Sequence, residues 1–305
     1  MNELDKDEAR DIKNYEVVGN GIEIGTQKNK RKKKRVNMKI REIKAKSVLS
    51  KTGLGSDYVI NPYVGCMHGC IYCYARFMKR FTNHPEPWGH FIDVKINAPD
   101  LIPEKTDKYK NKSVLMSSVT DAYHPIEIKY KLTRKILEKL VPLGVELNIL
   151  TKSDLVLRDI DLLKKFKKCL VTISLSFLDE KLIKQIEPLA SSAKRRIDAL
   201  KELNKAGIKT AVFISPIFPE ITDWREVINR TKNFVGEYWF ENLNPYFAIR
   251  NNITKFLKNN KPELIEKYNQ IWSGKNSYWS ETEKSIRNFC RSNKLICRIY
   301  FHHGA

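Results

Sequence analysis

Three cysteines within eight residues are the first feature of this 305-residue chain that could do chemistry. They stand in Gly65-Cys66-Met67-His68-Gly69-Cys70-Ile71-Tyr72-Cys73-Tyr74-Ala75-Arg76, spaced C-x3-C-x2-C. Thiolates are soft ligands that suit iron–sulfur clusters or zinc. Structural zinc wants four ligands, usually as paired knuckles, and the chain has no second C-x2-C. His68 could serve as a fourth zinc ligand, although it lies inside the loop that the cysteines wrap. Three ligands on a four-iron cube would instead leave one iron open to a further molecule. Gly65 and Gly69 let the backbone turn tightly around such a core.

The elements around the loop must place it. Asp57–Val64 (DYVINPYV) is a β-rich run that opens directly into the cysteines, and Ser113–Val119 is the next short apolar run. Leu132, Ile136, Leu137, Leu140 and Val141 recur at helical spacing until Pro142 and Gly144 stop them. Val145–Leu150, Leu170–Leu175, Thr210–Ile214 and Tyr238–Leu243 read as further strands. Between them lie helices that begin at Asp159, run through Ile197, Leu200 and Leu203 to a left-handed cap at Gly207, and follow Asp223. Six strands alternating with helices predict parallel βα units. Six units fall short of a closed eight-fold barrel, so an α/β fold with an open, partial (β/α)6 TIM-type barrel is expected. The cysteine loop follows the first strand and so sits at the C-terminal rim, where barrel enzymes do their chemistry. Lys152 ends a strand at the same rim, placed to neutralise a carboxylate.

Beyond the barrel, residues 1–50 are expected to form a basic, partly disordered N-terminal extension, residues 51–245 the barrel, and residues 246–305 a mainly helical C-terminal cover. Ser280 and Glu283 make a candidate capping box for the last helix. Fifty-six Lys and Arg against 35 Asp and Glu give a net charge of +21, which favours polyanions, nucleic acid first among them. The excess is concentrated: residues 28–51 carry +11, with the unbroken run Lys30 to Arg35, and residues 248–305 carry +7. No apolar run approaches the ~20 residues of a membrane helix, and the N-terminus lacks a signal-peptide pattern, so a cytoplasmic protein is expected. Six irregularly spaced cysteines do not make a secreted disulfide framework. Cys169, Cys290 and Cys297 are expected in the core.

At the cysteine loop the sequence resembles the radical S-adenosylmethionine (SAM) superfamily, whose loop reads C-x3-C-x-aromatic-C, with Tyr72 in the aromatic place. The run NPYVGCMHGCIYCYAR, with SSVTDAYHPIE, LTRKIL, LTKSDLVLRDIDLL, TISLS, IEPLASSAKRRIDALKELNKAGI and SPIFP, is similar to successive motifs of the spore photoproduct lyase-like (DNA repair photolyase-like) family. The resemblance runs from about Asp57 to Pro219. It implies that Cys66, Cys70 and Cys73 hold a [4Fe–4S] cluster and that Tyr72 packs beside the adenine of SAM. The open iron would take the amino and carboxylate groups of SAM. Reductive cleavage would then give methionine and a 5′-deoxyadenosyl radical, which abstracts hydrogen from a substrate. It implies further that Lys152 pairs with the cofactor carboxylate, that Ser174, Ser118 and Asp121 are cofactor contacts, and that Tyr74 takes part in radical relay. A reductant such as a flavodoxin or ferredoxin is implied as partner.

The resemblance breaks at one point. Spore photoproduct lyase carries a hydrogen-donating cysteine just before the segment that here reads Ser117-Ser118-Val119-Thr120-Asp121. A serine O–H bond is far too strong to replace that thiol, so a different substrate is expected. Nucleic acid leads the substrate classes, with a peptide or small metabolite as alternatives, and Tyr238, Trp239, Phe240, Tyr246 and Phe247 are candidates either for base stacking or for the core of the last strand. The alternative is a non-catalytic iron–sulfur or zinc nucleic-acid-binding module.

Overall fold

The computed structural model describes residues 15–18, 21–26, 29–104, 106–244, 246–274 and 276–302, with backbone alone for 15–36, 247 and 248. From the N-terminal side, β1 (Tyr15–Val18), β2 (Gly21–Thr26) and β3 (Asn29–Asn37) form an antiparallel three-stranded sheet. Next come β4 (Lys39–Ile43), β5 (Leu49–Lys51), β6 (Tyr58–Ile60), β7 (Tyr63–Val64) and β8 (Phe91–Lys95). The remaining strands are β9 (Ser113–Met116), β10 (Glu146–Thr151), β11 (Cys169–Ser174), β12 (Lys209–Ile217), β13 (Glu237–Asn242) and β14 (Ile296–Ile299). The central sheet has the order β14-β13-β12-β11-β10-β9-β6-β5, parallel throughout except for β5 at one edge.

The fold is a mixed α/β one built on a parallel sheet that holds all six expected strands, except that the first, Asp57–Val64, divides into β6 in this sheet and β7 in the β4-β8-β7 sheet. A seventh parallel strand, β14, extends the central sheet from the region expected to be helical. It is only four residues long and follows closely on a fifteen-residue helix, so its pattern does not separate from the helical one in the sequence. The α-helices of eight or more residues are α1 (Leu132–Leu140), α2 (Ala193–Lys205), α3 (Trp224–Thr231), α4 (Phe247–Asn260), α5 (Ile265–Trp272) and α6 (Tyr278–Ser292), with shorter ones at Glu127–Tyr130, Ile160–Leu163 and Glu180–Ile186. Gly207 ends α2 with φ +77° as expected. The capping box does not form. Ser277 is the N-cap of α6, which leaves Ser280 and Glu283 inside its first two turns. Asp159 likewise makes no cap bond; its buried carboxylate pairs with Arg158 and Arg134. No helix among the described residues is long and apolar enough to cross a membrane.

The expectation of a loose tail up to Ser50 is corrected for its described part, while residues 1–14 lie outside the described residues. β4 pairs in parallel with β8, which pairs antiparallel with β7, and Met38 beside β4 is fully buried. Arg41 binds Asp93 on β8 through two bonds of 2.8 and 3.1 Å. Dense surface lysines hid this strand. Its role is structural for the site, because the cysteine loop leaves β7 and returns through β8.

The pleat sorts the central sheet into two faces. On β10 and β13 every second residue is buried: Leu147, Ile149 and Thr151, then Tyr238, Phe240 and Asn242. Tyr238 reaches Thr231 on α3 at 2.8 Å and Phe240 meets Trp224 of the same helix, so these residues face the helices. Asn148, Leu150, Trp239 and Glu241 therefore face the opposite, concave side, and they are only half-buried. The open barrel thus leaves its concave face accessible next to the cysteine rim.

Candidate functional site

The cysteine loop is shaped by its glycines. Gly65 has φ +88°, and a Cβ there would lie 2.6 Å from the Phe91 carbonyl oxygen. Gly69 and Gly89 approach so closely that a Cβ on Gly89 would lie 2.7 Å from the Gly69 Cα. Backbone bonds from Gly69 to Cys66 and from Cys73 to Cys70, 3.3 and 3.2 Å, close the two turns. Burial pushes all three thiols up, Cys70 to about 12, and each thiol lies within electrostatic reach of another. Bound iron reverses that preference, since a metal holds its thiols deprotonated.

Lys152 comes to the same place from the end of β10. Its ammonium lies 5.6 Å from the Tyr72 ring centre. Burial opposes its charge, but Cys70 and then Glu187 raise its pKa above the ordinary value. Asp121 aims the turn that carries it: the carboxylate accepts from Thr151 Oγ1 at 2.7 Å, Tyr123 N at 2.9 Å and Lys152 N at 2.8 Å, with His68 Nδ1 at 3.3 Å. Burial works against this carboxylate, yet His68 and these donors hold it well below the usual range. With both oxygens engaged, Asp121 bears on a cofactor through Lys152 rather than by touching it.

Below Tyr72 lies a group that the sequence reading missed. The Tyr72 hydroxyl donates to Glu187, which forms a 2.5 Å ion pair with Arg196, and both charged residues are fully buried. Arg196 also donates to the Ser191 and Ser174 carbonyls at 2.7 and 3.0 Å. Burial opposes the Glu187 charge, but Arg196 and Lys152 outweigh it and keep its pKa low. Both residues lie in the IEPLASSAKRR motif, where nothing about a single Glu or Arg among many marks it as buried.

Ser118 and Tyr74 form a second layer. Asn61 accepts from the Ser118 and Val119 amides at 3.0 and 3.1 Å and donates to Ser118 Oγ at 3.3 Å. The half-exposed Tyr74 donates to the Ser118 carbonyl at 2.6 Å. Ser174 is buried on the concave side, with its hydroxyl 3.4 Å from the Ser215 carbonyl. Two residues on, Ser176 Oγ is buried without a partner. Of the aromatic stretch, Tyr238 and Phe240 belong to the core, Trp239 faces the concave side and Tyr246 is exposed; the Phe247 side chain lies outside the described residues. Cys290 is buried, while Cys169 and Cys297 are half-buried against the core.

His124 packs on Tyr63 with ring centres 4.4 Å apart, and neither ring nitrogen has a partner. Burial, then His68, pushes its pKa down to about 3. The unfolded chain takes up this proton near pH ~6.5, so the stabilisation is complete above that pH and is lost as pH falls towards the folded value. One such group contributes a slope of about 1.4 kcal/mol per pH unit. His124→Phe keeps the ring and removes the proton. Chemical denaturation between about pH 5.5 and 4.5 is expected to show a flatter decline for the variant than for the wild type.

The site fits an iron–sulfur cluster with a charged ligand by its donor set: three thiols, with a cation within electrostatic reach of Cys70 and Cys73. Among the described residues, no three His, Cys, Asp or Glu side chains are disposed to share one metal ion.

The family model for the radical SAM superfamily matches residues 60–230, and the chain belongs to that superfamily, a class of enzymes that perform SAM-dependent radical chemistry. Membership implies a [4Fe–4S] cluster and SAM. An uncharacterized protein of Methanocaldococcus jannaschii is 43% identical over 87% of this chain and 98% of its own. A radical SAM Nα-GlyT isomerase of Pseudomonas phage M6 is 27% identical over 78% of this chain and 48% of its own. Structures of spore photoproduct lyase, one with bound AdoMet and dinucleoside spore photoproduct, match with a TM-score of 0.64 at 17% identity, covering 87% of this chain and 82% of theirs. That likeness is one of fold.

Proposed function

We propose that the protein cleaves SAM reductively at a [4Fe–4S] cluster held by Cys66, Cys70 and Cys73, and that its substrate is nucleic acid. The observation that carries this reading is the meeting of the three thiols with Lys152 at the C-terminal ends of parallel strands. The cluster and SAM together would supply a 5′-deoxyadenosyl radical, and that chemistry is the cofactor's own. The chain's residues position and shield. Lys152 neutralises the cofactor carboxylate, Tyr72 gives a flat wall for the adenine, and Ser174 at the end of β11 offers a hydroxyl at the rim. The Asn61–Ser118–Tyr74 chain of hydrogen bonds fixes Tyr74 at the mouth, where a relay residue would stand.

The net charge of +21 supports a polyanionic substrate. Spore photoproduct lyase, which shares this fold, binds a dinucleoside photoproduct, and that favours nucleic acid over a peptide. Residues 117–121 contain no cysteine, so we infer an outcome other than repair of spore photoproduct. With no thiol there to return a hydrogen atom, SAM is consumed rather than regenerated. Deuterium passing from labelled substrate back into SAM would overturn that inference.

The test is anaerobic reconstitution with iron and sulfide, addition of dithionite and SAM, and chromatography of 5′-deoxyadenosine, with Cys70→Ala as the control. Formation by the wild type and none by the variant is the expected result. A cluster that forms without any cleavage, even with nucleic acid added, would favour the binding-module alternative.

A further inference from the structure

The concave face carries a second constellation, to which none of the roles above has been given. Phe213, Trp239 and Tyr300, from β12, β13 and the end of β14, form a three-ring cluster with centres 5.9, 6.2 and 6.1 Å apart. Tyr300 is 45% exposed and the other two are half-buried, so the cluster is an accessible wall and not core. One step along β13 towards the rim stands Glu241. Ser215 donates to one of its oxygens, and His302 Nε2 lies 3.3 Å from the other. His302 is pinned in turn by a 2.8 Å bond from its amide to Asn242 Oδ1. Glu241 lies within electrostatic reach of Tyr74 beside the cysteine loop.

A carboxylate has about four acceptor positions, and these contacts leave two of them open. An anion on an open face next to a polyanion-binding site repels phosphate. It is useful there only if something donates to it. Aromatic walls take the flat faces of bases, and a glutamate accepts well from the exocyclic amino group of cytosine. Thymine places a carbonyl oxygen at the same ring position, which the carboxylate repels.

We propose that Glu241, held by Ser215 and His302 beside the Phe213–Trp239–Tyr300 wall, is the specificity group of a base-binding subsite that selects an amino-bearing base over thymine. This rests on the nucleic-acid reading above and adds the base class. Ser215 and His302 are positioning residues: they fix the carboxylate and leave its remaining lone pairs pointing outward.

The test uses two pyrimidine probes of equal size, fluorescein-labelled (dC)10 and (dT)10. Their binding to the reconstituted protein with SAM and no reductant is followed by fluorescence anisotropy at one fixed salt concentration. The wild type is expected to bind (dC)10 roughly tenfold more tightly than (dT)10. Glu241→Gln, whose amide can donate to the thymine carbonyl, should bring that ratio to about one or below, and Ser215→Ala should reduce it in part. Equal binding of the two probes by the wild type would overturn the proposal, as would an unchanged ratio in Glu241→Gln. If the glutamine variant does not fold, the wild-type ratio alone decides. Absence of oligonucleotide binding with normal 5′-deoxyadenosine formation would sink the subsite and spare the radical chemistry. A cytosine preference without SAM cleavage would do the reverse.

Discussion

Replacing Lys152 by methionine should weaken SAM binding by about two orders of magnitude while leaving the cluster in place. The ammonium is partly buried beside Tyr72 and forms no ion pair with a carboxylate among the described residues, so a carboxylate delivered to it would gain a charge-assisted bond. Such a bond contributes about 1.5–3 kcal/mol, and the variant would in addition leave the ligand's charge unpaired in a desolvated site. Equilibrium dialysis of SAM against reconstituted protein measures the loss, and iron content with the visible spectrum checks that the cluster is intact. Lys152→Arg should recover part of the binding, because the charge returns on a longer, planar group. Unchanged affinity in Lys152→Met would remove this residue from the cofactor site.

The second large effect is one of stability. Arg196→Met leaves Glu187 buried with its main counter-charge gone, and breaking a buried pair from one side typically costs about 3–5 kcal/mol. Urea denaturation should show that loss. The double variant Glu187→Leu, Arg196→Met removes both charges and should recover most of it, since an apolar replacement of a buried pair is often neutral. The double variant should still bind SAM less well, because the Tyr72 hydroxyl has lost the carboxylate that fixes its ring. A double variant as unstable as the single one would mean that the Arg196 bonds to the Ser191 and Ser174 carbonyls matter more than the pair itself.

Buried charge of this kind is what a single sequence hides. Glu187 and Arg196 are two of 91 charged residues in the chain. Only the folding of α2 against β11 and the cysteine loop takes them out of water. Asn61 is similar: its hydrogen bonds to the 118–119 turn join residues 57 positions apart. The error over residues 39–50 has the opposite cause. Their lysines and arginines are solvated on one side, and that polarity concealed strands that pair with β8 and β6.

By itself the sequence determined what is local. The C-x3-C-x2-C spacing with its glycines fixes a thiol loop, and short apolar runs alternating with helical periods fix parallel βα units and so the rim on which the loop sits. The left-handed end of α2 at Gly207 is local in the same sense. The tertiary structure decided whatever depends on contacts between distant segments. It put β4 beneath the loop, added β14 to the sheet, and sank a Glu–Arg pair under Tyr72. It also turned Trp239 and Glu241 to the concave face and Tyr238 and Phe240 to the helices. Strand parity is visible in sequence, but which parity faces the site follows only from the side on which the helices pack.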